Sequence, residues 1–361
     1  MLVIEPPSGM NDYKLTTMET IDSGKWSHLA LYQQKLPDNV VRCHLCPHNC
    51  IVQDGKHGIC RTRVNYHGTL YSITYGNPCS IGVDPIEKKP LFHFFPGMKI
   101  YSLATAGCNF RCLNCQNSQI SQTSPQSQDH YDLMPEELVQ QALHHDTNSI
   151  AFTYTEPTVF YEYVYDTAKI AHDKGLKTVF ISNGFINEKP LLELCPYLDA
   201  ANIDLKCFDD NVYHQLDGGR LQPVLKTLKT LKENGVWLEI TNLLVPGYSD
   251  SPEMIESMCV WLVENGFADT SLHFSRFFPT YKLAQLPPTN ESALILAKMI
   301  AEKSGMKYVY LGNIPGLHAE NTSCPVCKNV VVERTGYVVK RNFVHKGLCG
   351  FCGEPIAGVW E

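Results

Sequence analysis

Eleven of the fifteen cysteines in this 361-residue chain fall into three groups with ligand-like spacing. A chain that gathers thiols at three separate points must close its backbone around each of them, so these groups restrict the possible folds more than any other feature. The first is Cys108-Asn-Phe-Arg-Cys112-Leu-Asn-Cys115, a C-x3-C-x2-C run that supplies no fourth thiol. Three thiolates can hold three irons of a cubane 4Fe–4S cluster and leave the fourth iron open to an exogenous molecule, whereas electron-transfer clusters close with a fourth Cys. Taken alone, the spacing also fits a zinc site or unrelated buried thiols. The second group is Cys43, Cys46, Cys50 and Cys60, in a stretch that contains His44, His48 and His57. These four thiols suit either tetrahedral zinc or an auxiliary 4Fe–4S cluster, with zinc the first expectation. The third group is Cys324-Pro-Val-Cys327 and Cys349-Gly-Phe-Cys352, separated by 21 residues that carry strand-like runs at 330–332 and 337–339. That is a zinc-ribbon pattern, and four thiolates close the coordination sphere for a structural role. Cys79, Cys195, Cys207 and Cys259 remain and read as ordinary buried thiols.

Composition narrows the function. A 44% hydrophobic chain of this length can bury a full core as one large domain with smaller additions. The formal net charge is −7 and no long Lys/Arg run occurs, which argues against an extended nucleic-acid footprint or an anionic membrane surface. From residue 324 onward five Lys/Arg face three acids, a weakly basic balance that leaves a nucleic-acid-binding ribbon as the minor alternative to a structural one. No cationic segment followed by an apolar one opens the chain, and no apolar run approaches about 18 residues, so a cytoplasmic protein is expected. In that compartment many cysteines mean metal ligands rather than disulfides.

Residues 1–40 show little pattern beyond a helix around 25–35 and read as a loosely packed extension. From about 98, short β-branched runs alternate with longer amphipathic stretches, the texture of parallel βα units. Strands are predicted at 100–105, 149–154, 178–182, 201–205, 237–245, 271–277 and 308–311. Helices are predicted at 135–144, 159–174, 189–195, 224–233, 252–264 and 291–304. About six such units, in a region shorter than the roughly 250 residues of a complete barrel, predict an α/β fold with an open, partial (β/α) barrel. A doubly wound open sheet is the competing architecture. Glu156, Asn183, Asp204, Lys206 and Arg276 fall just after predicted strands, where such folds build active sites.

With the strands placed, the motifs extend beyond the cysteines. Cys115-Gln116-Asn117, Thr155-Glu156-Pro157, Ser182-Asn183-Gly184-Phe185, Asp204-Leu205-Lys206 and Val245-Pro246-Gly247 resemble the set of radical S-adenosylmethionine (SAM) enzymes related to the activases of glycyl radical enzymes, including pyruvate formate-lyase activating enzymes. C-x-L-C-P-x-x-C at 43–50, P-I-E-K-K-P-L at 85–91, R-F-x-P-x-Y at 276–281 and Y-V-Y-x-G-N at 308–313 bring the chain closer to the radical SAM member of the AmmeMemoRadiSam system.

The resemblance implies a radical SAM barrel over 98–313, an N-terminal extension and four-Cys module over 1–97, and a zinc-ribbon-like module over 314–361. It implies that Cys108, Cys112 and Cys115 bind the 4Fe–4S cluster and that SAM chelates the open iron. A one-electron reductant then drives cleavage to a 5'-deoxyadenosyl radical that abstracts hydrogen. Glu156 would hold the SAM ammonium, with Ser182, Asp204 and Lys206 near its carboxylate, His273 near the ribose, and Asn117 and Asn183 lining the pocket. Read without the resemblance, Glu156 could cap a helix, Asp204 and Lys206 could be a surface pair, and His273 a satisfied core residue. A polypeptide substrate is implied, with Memo-type and AMMECR-type proteins as partners; a small molecule or tRNA is the alternative, and a non-catalytic metal-rich module the remaining one. Three departures stand out: Asn114 where activases carry an aromatic, Ile181 where they carry a cation-binding Asp, and Tyr154-Thr155 in place of two glycines.

Overall fold

The computed structural model describes residues 24–314, 316 and 319–361, so most of the expected N-terminal extension lies outside the described residues. The chain first forms β1 (His28–Leu29), β2 (Gln33–Lys35), β3 (Val41–Cys43), β4 (Ile51–Val52), β5 (Arg63–Tyr66) and β6 (Thr69–Ser72). β1, β6 and β5 make one small antiparallel sheet and β2, β3 and β4 another. The helix expected around 25–35 is therefore corrected to strands. Tertiary contacts override a weak helical periodicity here. The Gln33 amide donates to Ala30 O and Leu70 O at 2.7 and 3.0 Å and accepts from Leu70 N at 2.7 Å, fixing an extended chain.

The main sheet begins earlier than the boundary expected at 98. β7 (Ser80–Pro85) pairs antiparallel with β8 (Lys99–Ala104). β8 is followed in strict chain order by parallel β9 (Ser149–Phe152), β10 (Lys177–Ser182), β11 (Ala200–Asp204), β12 (Trp237–Leu244), β13 (Leu272–Arg276) and β14 (Val309–Gly312), with β7 and β14 at the two edges. The connections carry α1 (Ser118–Ser121), α2 (Pro135–His144), α3 (Tyr161–Asp173), α4 (Glu188–Leu194), α5 (Asp210–Asp217), α6 (Leu221–Glu233), α7 (Pro252–Glu264) and α8 (Glu291–Ser304). This is an α/β core with a parallel sheet in which each strand lies beside its predecessor, the order of a singly wound rather than a doubly wound fold.

Side chains alternate across the strands, as the two-residue repeat demands. Tyr101, Ile150, Phe152, Phe180, Ala201 and Ile203 join the core under the helices. Their neighbours Ile100, Ala151, Val179 and Ala200 face a second cluster built with Ile86, Leu91 and Phe94. The 85–91 segment therefore fills the inner face of the sheet.

The chain ends in β15 (Thr322–Ser323), β16 (Val330–Thr335), β17 (Val338–Asn342), β18 (Val344–His345) and β19 (Leu348–Cys349). Val331, Val332 and Ile356 pack with Phe92, Tyr308 and Tyr310, so this part shares a core with β14 and the inner-face segment. Cys195, Cys207 and Cys259 are buried and Cys79 half-buried, as ordinary thiols should be. Among the described residues, no helix is long and apolar enough to cross a membrane.

The end of α5 carries the Cys108 loop: Arg111 N donates to Asp217 O at 2.8 Å and Leu113 N to Leu216 O at 2.9 Å. Gly219 lies flat beneath Phe110, and a β-carbon there would sit 2.4 Å from Phe110 Cζ. Phe110 is fully buried and cannot retreat. Gly219→Ala is accordingly expected to destabilise the fold by about 1–3 kcal/mol through overpacking. It should also lower iron retention, since Phe110 lies in the chain between Cys108 and Cys112; denaturant unfolding and metal analysis of the variant check both.

Candidate active site

The Cys108 loop leaves β8 through Gly107, whose φ of 99° and close approach to the N-terminal part exclude a side chain. A β-carbon there would lie 2.3 Å from Thr62 Cγ2 and 2.7 Å from Cys60 O. Beyond it, Phe110 N donates to Cys108 Sγ at 3.3 Å, Cys115 Sγ lies 3.1 Å from Ser121 Oγ, and Asn183 Nδ2 reaches to 4.0 Å from Cys108 Sγ. The three thiols are half-buried and do not draw together into a single-ion group among the described residues. Soft thiolates spread around one loop, with N–H donors aimed at sulfur, fit a cluster better than one ion.

Glu156, after β9, is buried and its carboxylate is well used. Oε1 accepts from Ser182 Oγ at 2.8 Å and Thr158 N at 2.9 Å, and Oε2 from Asn183 N at 2.8 Å. It does cap the short 3-10 turn Pro157–Phe160, so the capping role is present alongside any other. Burial raises its pKa while those donors pull the other way. Asn183 in turn donates to Asn109 Oδ1 at 2.8 Å, which ties Glu156 and Ser182 to the residue next to Cys108.

On the other side of the loop Lys206 Nζ meets Asp204 Oδ2 at 2.6 Å, both half-buried. Burial would lower the Lys206 pKa, but the charges of Asp204, Cys112 and Asp217 outweigh it and raise it. Asp217 was marked by no motif. It is fully buried beside Cys112 and Lys206, and burial pushes its carboxyl up to about 6 against the pull of Lys206. Only its place at the end of the helix that supports the loop reveals it.

Asn117 Nδ2 donates to Tyr154 O at 2.6 Å. Tyr154 stands where activases have glycine, and it adopts the glycine-like conformation, with φ of 60°. Its hydroxyl donates to Asp84, which also binds Lys89 Nζ at 2.6 Å, and that ammonium lies 4.3 Å from the centre of the Tyr154 ring. Ile181 packs against the inner-face cluster and Asn114 is buried.

Two further expected residues have partners within the chain. His273 is buried on the inner face with Nε2 2.6 Å from Glu239 Oε2 and its ring stacked on Tyr310, the satisfied core arrangement. Arg276 closes onto Thr289 O at 2.8 Å and Glu291 Oε1 at 3.0 Å, fastening β13 to the start of α8.

Far from this loop, Cys324, Cys327, Cys349 and Cys352 present sulfurs all within 4.8 Å of one another, a group that could hold a metal ion.

The sequence profile described as "Radical SAM superfamily" matches residues 102–259, from β8 through most of α7. A protein of Methanocaldococcus jannaschii described as uncharacterized is 45% identical over 331 residues, covering 91% of this chain and 98% of its own. The pyruvate formate-lyase 1-activating enzyme of Escherichia coli is 23% identical over 229 residues, 60% of this chain and 93% of its own. Among solved structures, SuiB of Streptococcus suis bound to its precursor peptide SuiA aligns with a TM-score of 0.45 at 17% identity, covering 64% of this chain and 52% of that one. The cysteine loop at the head of the first parallel strand, together with these sequence matches, places the chain in the radical SAM superfamily, as an enzyme homologous to the pyruvate formate-lyase activating enzymes.

Proposed function

We propose that this protein is the radical SAM member of an AmmeMemoRadiSam-type system and modifies a polypeptide. The observation that carries the reading is the hydrogen-bonded unit that joins Cys108, Asn109, Asn183, Ser182 and Glu156 across the ends of β8, β9 and β10. Strand C-terminal ends are where such folds place their chemistry. In this reading 98–313 is an open partial barrel, with a four-Cys module over 1–97 and a ribbon over 314–361.

Cys108, Cys112 and Cys115 would hold the 4Fe–4S cluster, which with SAM bound and a one-electron reductant would supply the electron for reductive cleavage of the sulfonium. The chain's own residues bind and orient. A carboxylate offers about four acceptor positions, and Glu156 uses three on Ser182, Asn183 and Thr158. The one left suits the SAM ammonium, held by a charge-assisted bond on a carboxylate that cannot swing. Lys206, kept protonated by Asp204, suits the methionyl carboxylate. Asn117 fixes the Tyr154 turn above the loop, and Asn183 sits between cluster and Glu156. His273 is proposed near the ribose, its ring fixed by the bond from Nε2 to Glu239.

The polypeptide substrate is supported by the relation to an enzyme whose name marks it as activating pyruvate formate-lyase, and by the lack of a basic footprint for RNA. Memo-type and AMMECR-type proteins are the proposed partners, on the strength of the motif set. Zinc is proposed for the C-terminal group: its Sγ pairs stand 3.7 Å apart, Cys324 with Cys352 and Cys327 with Cys349, the separation that Zn–S bonds of about 2.3 Å require. A cytoplasmic setting suits fifteen cysteines of which none is paired in a disulfide.

Cys112→Ala should reduce 5'-deoxyadenosine release with dithionite to the background level, and unchanged release would remove the cluster assignment. Glu156→Gln keeps the shape but loses the charge, and should weaken SAM binding by about 10–100-fold, as loss of a charged hydrogen bond implies; equilibrium dialysis reads it. Incubation with SAM, reductant and a Memo-type or AMMECR-type polypeptide should raise deoxyadenosine above the uncoupled rate and leave a residue-localised mass change. Stimulation by RNA or a metabolite in place of any polypeptide would transfer the reading to those substrates.

A further inference from the structure

The four N-terminal thiols do what the four C-terminal ones do not: they stand around a common pocket without closing on one another. Cys43, Cys46, Cys50 and Cys60 line this pocket, walled also by Arg63 and Asn109. A single zinc draws its ligands closer than that, because Zn–S bonds of about 2.3 Å bring thiolates into mutual contact around the ion. Cys324, Cys327, Cys349 and Cys352 show that contact in this same chain, and among the described residues the N-terminal four form no equivalent group.

The wall asks for an acceptor. Arg63 is buried; its Nη1 lies 3.8 Å from Cys43 Sγ and its Nη2 pairs with Glu162. Its Nη1 also donates to Leu31 O at 2.8 Å, while its Nε and Glu162 Oε2 are both left without a partner among the described residues. A buried guanidinium donor left unpaired costs about 1–3 kcal/mol or more. Cluster sulfur is an acceptor of the right softness, and hydrogen bonds to sulfur are among the ways a protein stabilises such a group.

We propose that Cys43, Cys46, Cys50 and Cys60 hold an auxiliary 4Fe–4S cluster, with every iron closed by a thiolate. The inference takes the cluster rather than the zinc, both of which the spacing allows, and it stands apart from the proposed reaction. With no open iron, this cluster does not bind SAM. It lies against the Cys108 loop: Asn109, in its wall, follows Cys108 directly, its carbonyl is 2.8 Å from His48 Nε2, and Cys60 O abuts Gly107.

The test is a chain with Cys108, Cys112 and Cys115 all changed to Ala, reconstituted anaerobically with ferrous iron and sulfide. About four irons and four sulfides per chain should remain, with about one zinc at the C-terminal group, and the dithionite-reduced EPR signal should ignore added SAM. Absence of iron, whether accompanied by about two zincs or by one, overturns the proposal. If that variant does not fold, iron counting and Mössbauer spectra of the wild-type protein decide between about eight irons and about four, the latter overturning it. Cys46→Ser in the otherwise native chain should lose the SAM-insensitive signal and keep the C-terminal zinc as proof of folding. A failed radical SAM reading would show instead as a wild-type EPR spectrum indifferent to SAM, with the triple-variant iron count unaffected.

Discussion

The carboxylate of Glu239 organises the inner face of the sheet. It is fully buried and accepts from Phe92 N at 3.0 Å, His93 N at 2.7 Å, Trp237 Nε1 at 3.1 Å and His273 Nε2 at 2.6 Å. Removing such a group from water costs several kcal/mol unless every lone pair is matched. Burial would raise its pKa, but the bond and charge of His273, with His93 and the backbone donors, hold it down at about 2. It therefore stays ionised and clamps the chain around Phe92 to the early part of β12 and β13. Arg334 completes the clamp by donating to Phe92 O at 2.6 Å, which brings the C-terminal module to the same point. With one end of the inner face filled in this way, the strand C-terminal ends beside the Cys108 loop are left for chemistry.

Much of this was legible in the sequence because it follows from local pattern. The helices at 135–144, 252–264 and 291–304 begin where the apolar period and an initiating Pro or Glu put them, and the last two end at Asn265 and Gly305. The seven parallel strands were found by their β-branched runs, within a residue or two at each end. What escaped was what depends on partners distant in the chain. β7 is an edge strand with a polar, Gly-containing sequence, and only its pairing with β8 makes it a strand. His273 lies within β13 and is marked as a site residue only by the resemblance, and nothing local announces that Glu239, 34 residues earlier, holds it. Asp217 has no motif at all, and its meaning comes from the loop that α5 supports.

The Tyr154 turn shows how the chain does without the glycines of its relatives. A non-glycine residue held at positive φ costs about 1–3 kcal/mol, and it persists only where surroundings over-determine it. Here the hydroxyl on Asp84, the Lys89 ammonium against the ring and Asn117 on the carbonyl fix it at three points. Burial lowers the Lys89 pKa to about 8 although Asp84 resists this, while Asp84 itself is held below the usual carboxylate range by Lys89 and Lys88 despite burial. The 85–91 motif and the substitution at 154 are thus one structural device, and neither makes sense without the other.

Spacing alone cannot tell a zinc site from a cluster, because both need only thiols that can reach a common centre. The distinction lies in what the rest of the fold holds apart. At the C-terminus two knuckles pack directly and their sulfurs meet. At the N-terminus, Cys60 continues into Arg61-Thr62-Arg63, where Thr62 Oγ1 donates to Val159 O at 2.9 Å and Arg63 reaches Glu162, so the wall of the cavity is pulled toward α3. Metal binding is coupled to folding where the ligands are not otherwise fixed. A group bound among Cys43, Cys46, Cys50 and Cys60 would therefore order the surface on which Gly107 rests. The Cys108 loop then inherits its position from two sides, from α5 through Asp217 O and Leu216 O and from the N-terminal thiol site through Thr62 and Cys60.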